Sequence, residues 1–151
     1  MKVLVFHIGP DRYALRLGAV NRVLPVLALK QVPLSPPFVA GLMDLHGEPV
    51  PVIDLSLLAG FAPRQIRFDT RIILVDYPLP DGGTASLGLQ AEHVTGIETV
   101  DDATLRTPGL HSAPFLGEVS GSAAGLLQLV ELDALLTPEV RELLFRPEVI
   151  A

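Results

Sequence analysis

Any chemistry in this chain must come from four histidines, 17 carboxylates and scattered hydroxyls, because it contains no cysteine. That absence removes disulfides, thiolate nucleophiles, Cys-ligated zinc and iron–sulfur clusters, and it fits a reducing compartment. His7, His46, His93 and His111 stand apart, with none of the short spacings by which two imidazoles on one element converge on a metal. His46-Gly47-Glu48 has the His-x-Glu spacing of zinc deaminases, but the thiolate ligands that chemistry needs are missing. It reads instead as a hairpin turn in which Gly47 supplies a positive φ. No Gly-x-Ser-x-Gly elbow exposes a serine nucleophile, and Ser120 to Gly125 reads as a flexible turn before a strand at 126–130. Asp81-Gly82-Gly83 is acidic, lies between strands and has no lysine, so it is not a phosphate cradle. Asp44, Glu48, Asp54, Glu92, Glu98, Asp101 and Asp102 leave a general acid/base pair open, although Asp101-Asp102 reads as solvating a loop. No residue is nominated as catalytic, cofactor-binding or metal-ligating.

The chain that must position these groups has 151 residues, enough to bury about 70% of its unfolded surface in a core of its own. Eleven basic residues against 17 acidic ones give a net charge of −6. Only Arg64 to Arg71 concentrates arginine, and Asp69 interrupts it, so nucleic acid and anionic membranes are disfavoured as partners. Apolar residues make up 49% and mean hydropathy is +0.46. Yet 14 prolines and 13 glycines break every apolar run short of a membrane-spanning helix. Met1 to Ile8 is too short for a secretory signal before Pro10-Asp11-Arg12, so a cytoplasmic protein is expected. With charged residues at only 19%, apolar surface exceeds what the core absorbs. Exposed Val and Leu are therefore expected to gather in partner-binding patches.

Short apolar runs separated by turn residues every 8 to 12 positions predict an all-β barrel or sandwich. Val3 to Ile8, the turn Gly9 to Arg12 and the return Tyr13 to Leu17 make one hairpin. Ile72 to Tyr77, a longer tip at 78–84 and Ala85 to Ala91 make another.

These two hairpins open a weak internal repeat. Val3-Leu4-Val5-Phe6 matches Ile72-Ile73-Leu74-Val75 at an offset of 69. Leu15, Val20 and Val23 match Leu89, Val94 and Ile97 at 74, and Val52, Ile53, Leu55 and Leu58 match Leu129, Val130, Leu132 and Leu135 at 77. Three blocks in the same order argue against chance, and the drift is what loop insertions produce. The expectation is two similar β units of about 70 residues with no flexible tether, since Arg64 to Asp69 is too short and mixed to be one.

At the C-terminus, Thr137 suits an N-cap, Pro138 the first helical position and Glu139 the first turn. Val140, Leu143 and Leu144 form one face before Pro147 ends the helix. That face suits packing on the barrels, with partner docking as the alternative.

Residues 36–55 are the densest stretch. Pro36-Pro37 sets an extended approach, Gly41 and Gly47 bracket a strand, and Pro51 marks the next strand as edge or bulged, where another chain can dock. Here the chain resembles the CheW family of chemotaxis coupling proteins. The resemblance is carried by Tyr13-Ala14-Leu15, Val20-Asn21-Arg22-Val23, Pro37-Phe38-Val39-Ala40-Gly41, Val50-Pro51-Val52-Ile53-Asp54-Leu55, Leu87-Gly88-Leu89 with Val94, and Leu135-Leu136. It implies an all-β fold of two SH3-like five-stranded barrels packed together with a short C-terminal helix. Residues 1–151 would then be a single domain of two intertwined barrel subdomains. It also implies a non-catalytic adaptor, without cofactor, that links the cytoplasmic tip of a methyl-accepting receptor to the regulatory domain of a CheA-type histidine kinase. The alternatives are a module of the same fold that sequesters or tunes the kinase, and a small carboxylate-dependent barrel enzyme.

The resemblance places receptor contacts at Val20, Arg22, Leu24, Asp44 and His46. Relatives carry Glu where this chain has Arg22, and Asn-Leu-Arg-Gly where it has Asp44-Leu45-His46-Gly47. The Glu–Arg pair of relatives cannot form, and Asp44 or Glu48 is expected to partner Arg22 instead. Ala113 to Gly117 and Leu143-Leu144-Phe145, with the short N-terminus, look closer to coupling proteins of Wsp-type surface-sensing arrays than to flagellar ones.

Overall fold

The computed structural model describes residues 1–61, 66, 68–109, 113–122 and 124–145. Among them the strands are β1 (Lys2–Ile8), β2 (Asp11–Arg16), β3 (Val20–Pro25), β4 (Val39–Leu45), β5 (Glu48–Asp54), β6 (Arg71–Pro78), β7 (Thr84–Thr99), β8 (Leu105–Arg106), β9 (Leu116–Ser122) and β10 (Gly125–Val130). Helix α1 (Leu55–Leu58) follows β5, and α2 (Pro138–Leu144) lies near the C-terminus.

The strands form two five-stranded barrels that share β7. In one, β3, β6 and the first half of β7 run antiparallel, β5 lies parallel to β7 from Val52 to Asp54, and β4 pairs with β5. A bridge between Lys30 and Leu42 adds the chain before β4 to that strand's outer edge. In the other, the second half of β7 pairs with β1, β1 with β2, β2 in parallel with β10, and β10 with β9. The two-residue β8 lies on β9.

The repeat is visible in this pairing, but its halves are not the barrels. Residues 1–25 give β1 and β2 to one barrel and β3 to the other; β6 and β7 do the reverse. The parallel pair Val52↔Gly88 has its counterpart in Leu129↔Ala14 at the offsets of 77 and 74. The expectation of two consecutive 70-residue units is corrected accordingly: each half gives its opening hairpin to one barrel and its remaining strands, β3 to β5 or the end of β7 with β8 to β10, to the other. β7 runs unbroken through Ala91 because it crosses between barrels.

Three apolar clusters follow from this exchange. Val3, Val5, Ala14, Leu127 and Leu129 fill one barrel with Val100; Met43, Val50, Val52, Ile72 and Leu74 fill the other. Between them lies the largest cluster, with Leu4, Phe6, Ile8 and Leu15 from one side and Ile53, Ile73, Val75, Tyr77, Leu87 and Leu89 from the other. β1 and β6 therefore bury successive residues on both faces, Val3 to Phe6 and Ile72 to Val75, instead of alternating.

Several local expectations change. Ser120 and Gly121 lie inside β9, where Ser120 is buried and its hydroxyl meets that of Thr104 at 2.7 Å. Gly41 sits within β4 rather than at its end. There φ is +147° and a Cβ would come within 2.5 Å of the Lys30 carbonyl, so the close bridge requires glycine. β5 is an edge strand only through Pro51; from Val52 it lies between β4 and β7. α2 begins as expected, with Thr137 Oγ1 accepting the Val140 N–H at 3.3 Å. Its buried face carries Val140 and Leu144, while Leu143 is exposed. Exposed large apolar side chains include Val23, Leu27, Ile97, Leu126 and Leu143. His111 and Pro147 lie outside the described residues.

Candidate partner-binding face

β3 is the end strand of its sheet, paired on one side to β6. Asn21, Arg22 and Val23 are exposed on it, and Val20 and Leu24 are half-buried. The two flanking apolar residues do different work. Val20 packs on the layer between the barrels, whereas Leu24 packs on the cluster around Met43 and Ile72. Leu45 packs on that same cluster, so the end of β4 and the end of β3 rest on common ground although they belong to opposite ends of the strand path.

Asp44 and His46 stand at the β4–β5 tip. Leu45 pairs with Glu48, so His46-Gly47 is a two-residue loop, and both have positive φ, +52° and +87°. That is the geometry of a type I′ turn, whose twist matches a β-hairpin. Asp44 Oδ1 accepts the Gly47 N–H at 2.7 Å. The expected partnership of Asp44 or Glu48 with Arg22 is corrected. Among the described residues no carboxylate lies within 4.0 Å of Arg22, whose Nε donates to Asn21 Oδ1 at 3.4 Å. Asp44 is already committed to its turn, and Arg22 presents its charge to solvent.

Polar groups with defined partners lie elsewhere. Asp54 caps α1, accepting the Leu57 N–H at 3.2 Å, and accepts from Gln90 Nε2 at 3.3 Å. Burial pushes its pKa above the usual carboxylate value, aided by the nearby Glu92 charge and opposed by the backbone donors of Leu57 and Ser56. Ser56 donates to Glu92 at 2.9 Å. Tyr77, buried under α2, receives the Leu136 N–H at 3.2 Å and stacks on Phe145 with centroids 5.8 Å apart. Its burial raises the phenol pKa. Tyr13 is raised likewise by burial, with Asp11 adding to the effect. Among the described residues no three His, Asp or Glu side chains gather as a metal site. One pairing went unread in the sequence: His7 and His93 meet, with ring centroids 5.2 Å apart. The repeat carried the signal, since β3 pairs with β6 and its counterpart, residues 94–97, must then pair with β1.

An apolar groove of about 440 Å³ runs between the β1–β2 tip, α1 and residues 113–116, lined by Tyr13, Leu58, Phe61 and Phe115. A second, open cleft is lined by Arg16, Asp76, Glu131 and Asp133.

Comparison with known proteins agrees with this architecture. The profile of the CheW-like domain matches residues 2–139. The chain is 25% identical over 145 residues to the chemotaxis protein CheW of Rhizobium meliloti, covering 93% of this chain and 90% of that one. It is 27% identical over 144 residues to the chemotaxis protein CheW of Klebsiella aerogenes, covering 90% and 81%. The crystal structure of the scaffolding protein TtCheW from Thermoanaerobacter tengcongensis superposes with a TM-score of 0.79 at 24% identity, over 90% of this chain and 87% of that one. With its interleaved barrels and a family match from residue 2 to residue 139, the chain belongs to the CheW-like domain family.

Proposed function

We propose that this protein is a non-catalytic coupling adaptor of a chemotaxis-type array, joining methyl-accepting receptors to a CheA-type histidine kinase. The observation that carries the reading is the family match across both barrels, residues 2–139. A layer of packed side chains common to both barrels makes them one support for two partners. An adaptor of this kind needs no chemistry. It needs different affinities for the active and inactive arrangements of its partners, and each contact then biases the kinase equilibrium. We take residues 1–151 as one functional domain, working in the cytoplasm beneath a receptor array. Among the described residues no helix is long and apolar enough to cross a membrane.

For the receptor face we propose Val20, Arg22 and Leu24 on β3 with Asp44 and His46 at the β4–β5 tip. The support for this reading is the exposed edge of β3, the charge of Arg22 with no carboxylate partner among the described residues, and the shared footing of Leu24 and Leu45. Apolar centres supply affinity and charged rims select partners, so replacing the family's Glu by Arg22 re-specifies the receptor.

Reconstitution of kinase autophosphorylation with receptors, with and without this protein, tests the function. Coupling raises receptor-dependent activity; a fall identifies a sequestering module, and no change overturns both. Arg22→Glu combined with His46→Arg is expected to change which receptor is bound, and unchanged binding to every receptor removes the proposed face.

A further inference from the structure

The crossing of β7 from one barrel to the other is built around histidine. His93 sits there with φ +47°, a left-handed conformation uncommon outside glycine and found mostly at Asn, Asp and His. The β1–β7 register shifts at the same place, between Val5 and His7. The residue is held from two directions. Asp69, in the chain entering β6, sets its carboxylate 2.5 Å from His93 Nδ1, and its carbonyl accepts the Val94 N–H at 3.3 Å. From β1, His7 packs its ring edge-on at 73° and donates from Nδ1 to the His93 carbonyl at 3.4 Å.

Both Nδ1 atoms face acceptors, so each neutral ring carries its proton there and leaves Nε2 to receive another. The other charged groups around the pair have partners of their own, although the buried Nη1 of Arg12 has none among the described residues. Arg12 of β2, opposite His7, is bound to Glu98 at 2.7 Å. Glu92 of β7, also opposite His7, accepts from Ser56, with Asp54 beyond it. Arg71 of β6 donates to the carbonyls of Phe68 and Thr70.

We propose that Asp69, His93 and His7 form a proton-responsive clamp on the β7 crossing. A proton on His93 turns its bond to the Asp69 carboxylate into an ion pair, adding the attraction of opposite charges, and ties β7 to the chain entering β6. A further proton on His7 opposes this, because two imidazolium rings then face each other. Acidification from pH 8 to pH 6 thus tightens the joint between the barrels.

Amide hydrogen exchange of the full-length protein reads the clamp at Val94, after correction for the intrinsic pH dependence of exchange. Protection at Val94 is expected to rise about threefold from pH 8 to pH 6, as a hydrogen bond to a carboxylate becomes a solvent-exposed ion pair. Asp69→Asn and His93→Asn abolish the rise, asparagine at 93 being tolerant of positive φ. His7→Gln retains the rise. Ile73, in the core of β6, serves as the control that each variant is folded. A flat wild-type profile, or a rise that survives in Asp69→Asn, overturns the proposal.

Discussion

Asp54 and Glu131 occupy equivalent places in the two halves of the repeat, each at the end of a strand that lies parallel to a hairpin strand, each preceding a helical turn. Their partners are equivalent too. Gln90 answers Asp54 and Arg16 answers Glu131, at the same offsets of 74 and 77 that relate the strands. One pair is a neutral donor on a half-buried carboxylate that also caps a helix; the other is an ion pair open to solvent at 3.0 Å. The barrel interiors differ in the same spirit. Ile72, Val52 and Gly88 stand in one where Val3, Leu129 and Ala14 stand in the other, so a large residue in one is balanced by a smaller neighbour. The repeat thus fixes where a group must be, while burial and local volume decide which group can be there.

The largest test of this comparison concerns what the two halves share. Phe6 is fully buried in the layer between the barrels. Phe6→Ala is expected to cost about 3–5 kcal/mol in urea unfolding, through lost burial and the cavity left behind. Because the layer belongs to both barrels, amide protection should fall in β5 as much as in β10. A loss confined to the barrel of β1, β2 and β10 would show that the barrels unfold separately.

The second test exchanges the compensating residues. A Cβ at Gly88 would lie 3.0 Å from Cγ2 of both Ile72 and Val52, so Gly88→Ala must displace packed methyl groups. The expected cost is about 1–3 kcal/mol. At the equivalent site Ala14→Gly is expected to cost about 1 kcal/mol, from backbone entropy and a lost contact. The two sites fill different barrels, so their effects should add in the double variant. Tolerance of Gly88→Ala would mean that the two interiors are packed alike.

Much of this was legible beforehand because strands write their positions in apolar runs and turns in glycine. The hairpins, the His46-Gly47 turn and the Thr137 cap all rest on such local rules. Partner exchange between barrels did not announce itself. A continuous strand such as Thr84 to Thr99 and two strands in succession have the same pattern of apolar residues, and only pairing tells them apart. Side-chain partnerships were the hardest to read. Arg22 and Asp44 look complementary in sequence, yet Asp44 is spent on the Gly47 amide three residues away, and a short local bond displaces a long-range ion pair. The CheW-like stretch from Pro37 to Leu55 was legible as a family signature because it combines a tight bridge at Gly41, a two-residue turn and the Asp54 cap, three features that constrain residue type.

The smallest test separates the two carboxylates themselves. Asp54 is raised by burial, so the folded state holds its proton more firmly than the unfolded chain, whose carboxylate titrates near 3.8. Stability is therefore gained as pH falls from neutral through the raised value toward 3.8, and the ionised group is a burden above that window. Asn at 54 can still accept the Leu57 N–H, so Asp54→Asn is expected to change stability at pH 7 by less than about 1 kcal/mol and to flatten this gain on acidification. Glu131→Gln breaks an exposed pair and is expected to cost about 0.2–1 kcal/mol at low salt. That cost should fade as salt is raised, because screening acts on solvent-exposed charges first. Urea titrations of both variants at two pH values and two salt concentrations check the contrast. A salt-independent loss at Glu131, or an unchanged pH profile in Asp54→Asn, would mean that the two sites sit in equally buried surroundings despite their different partners.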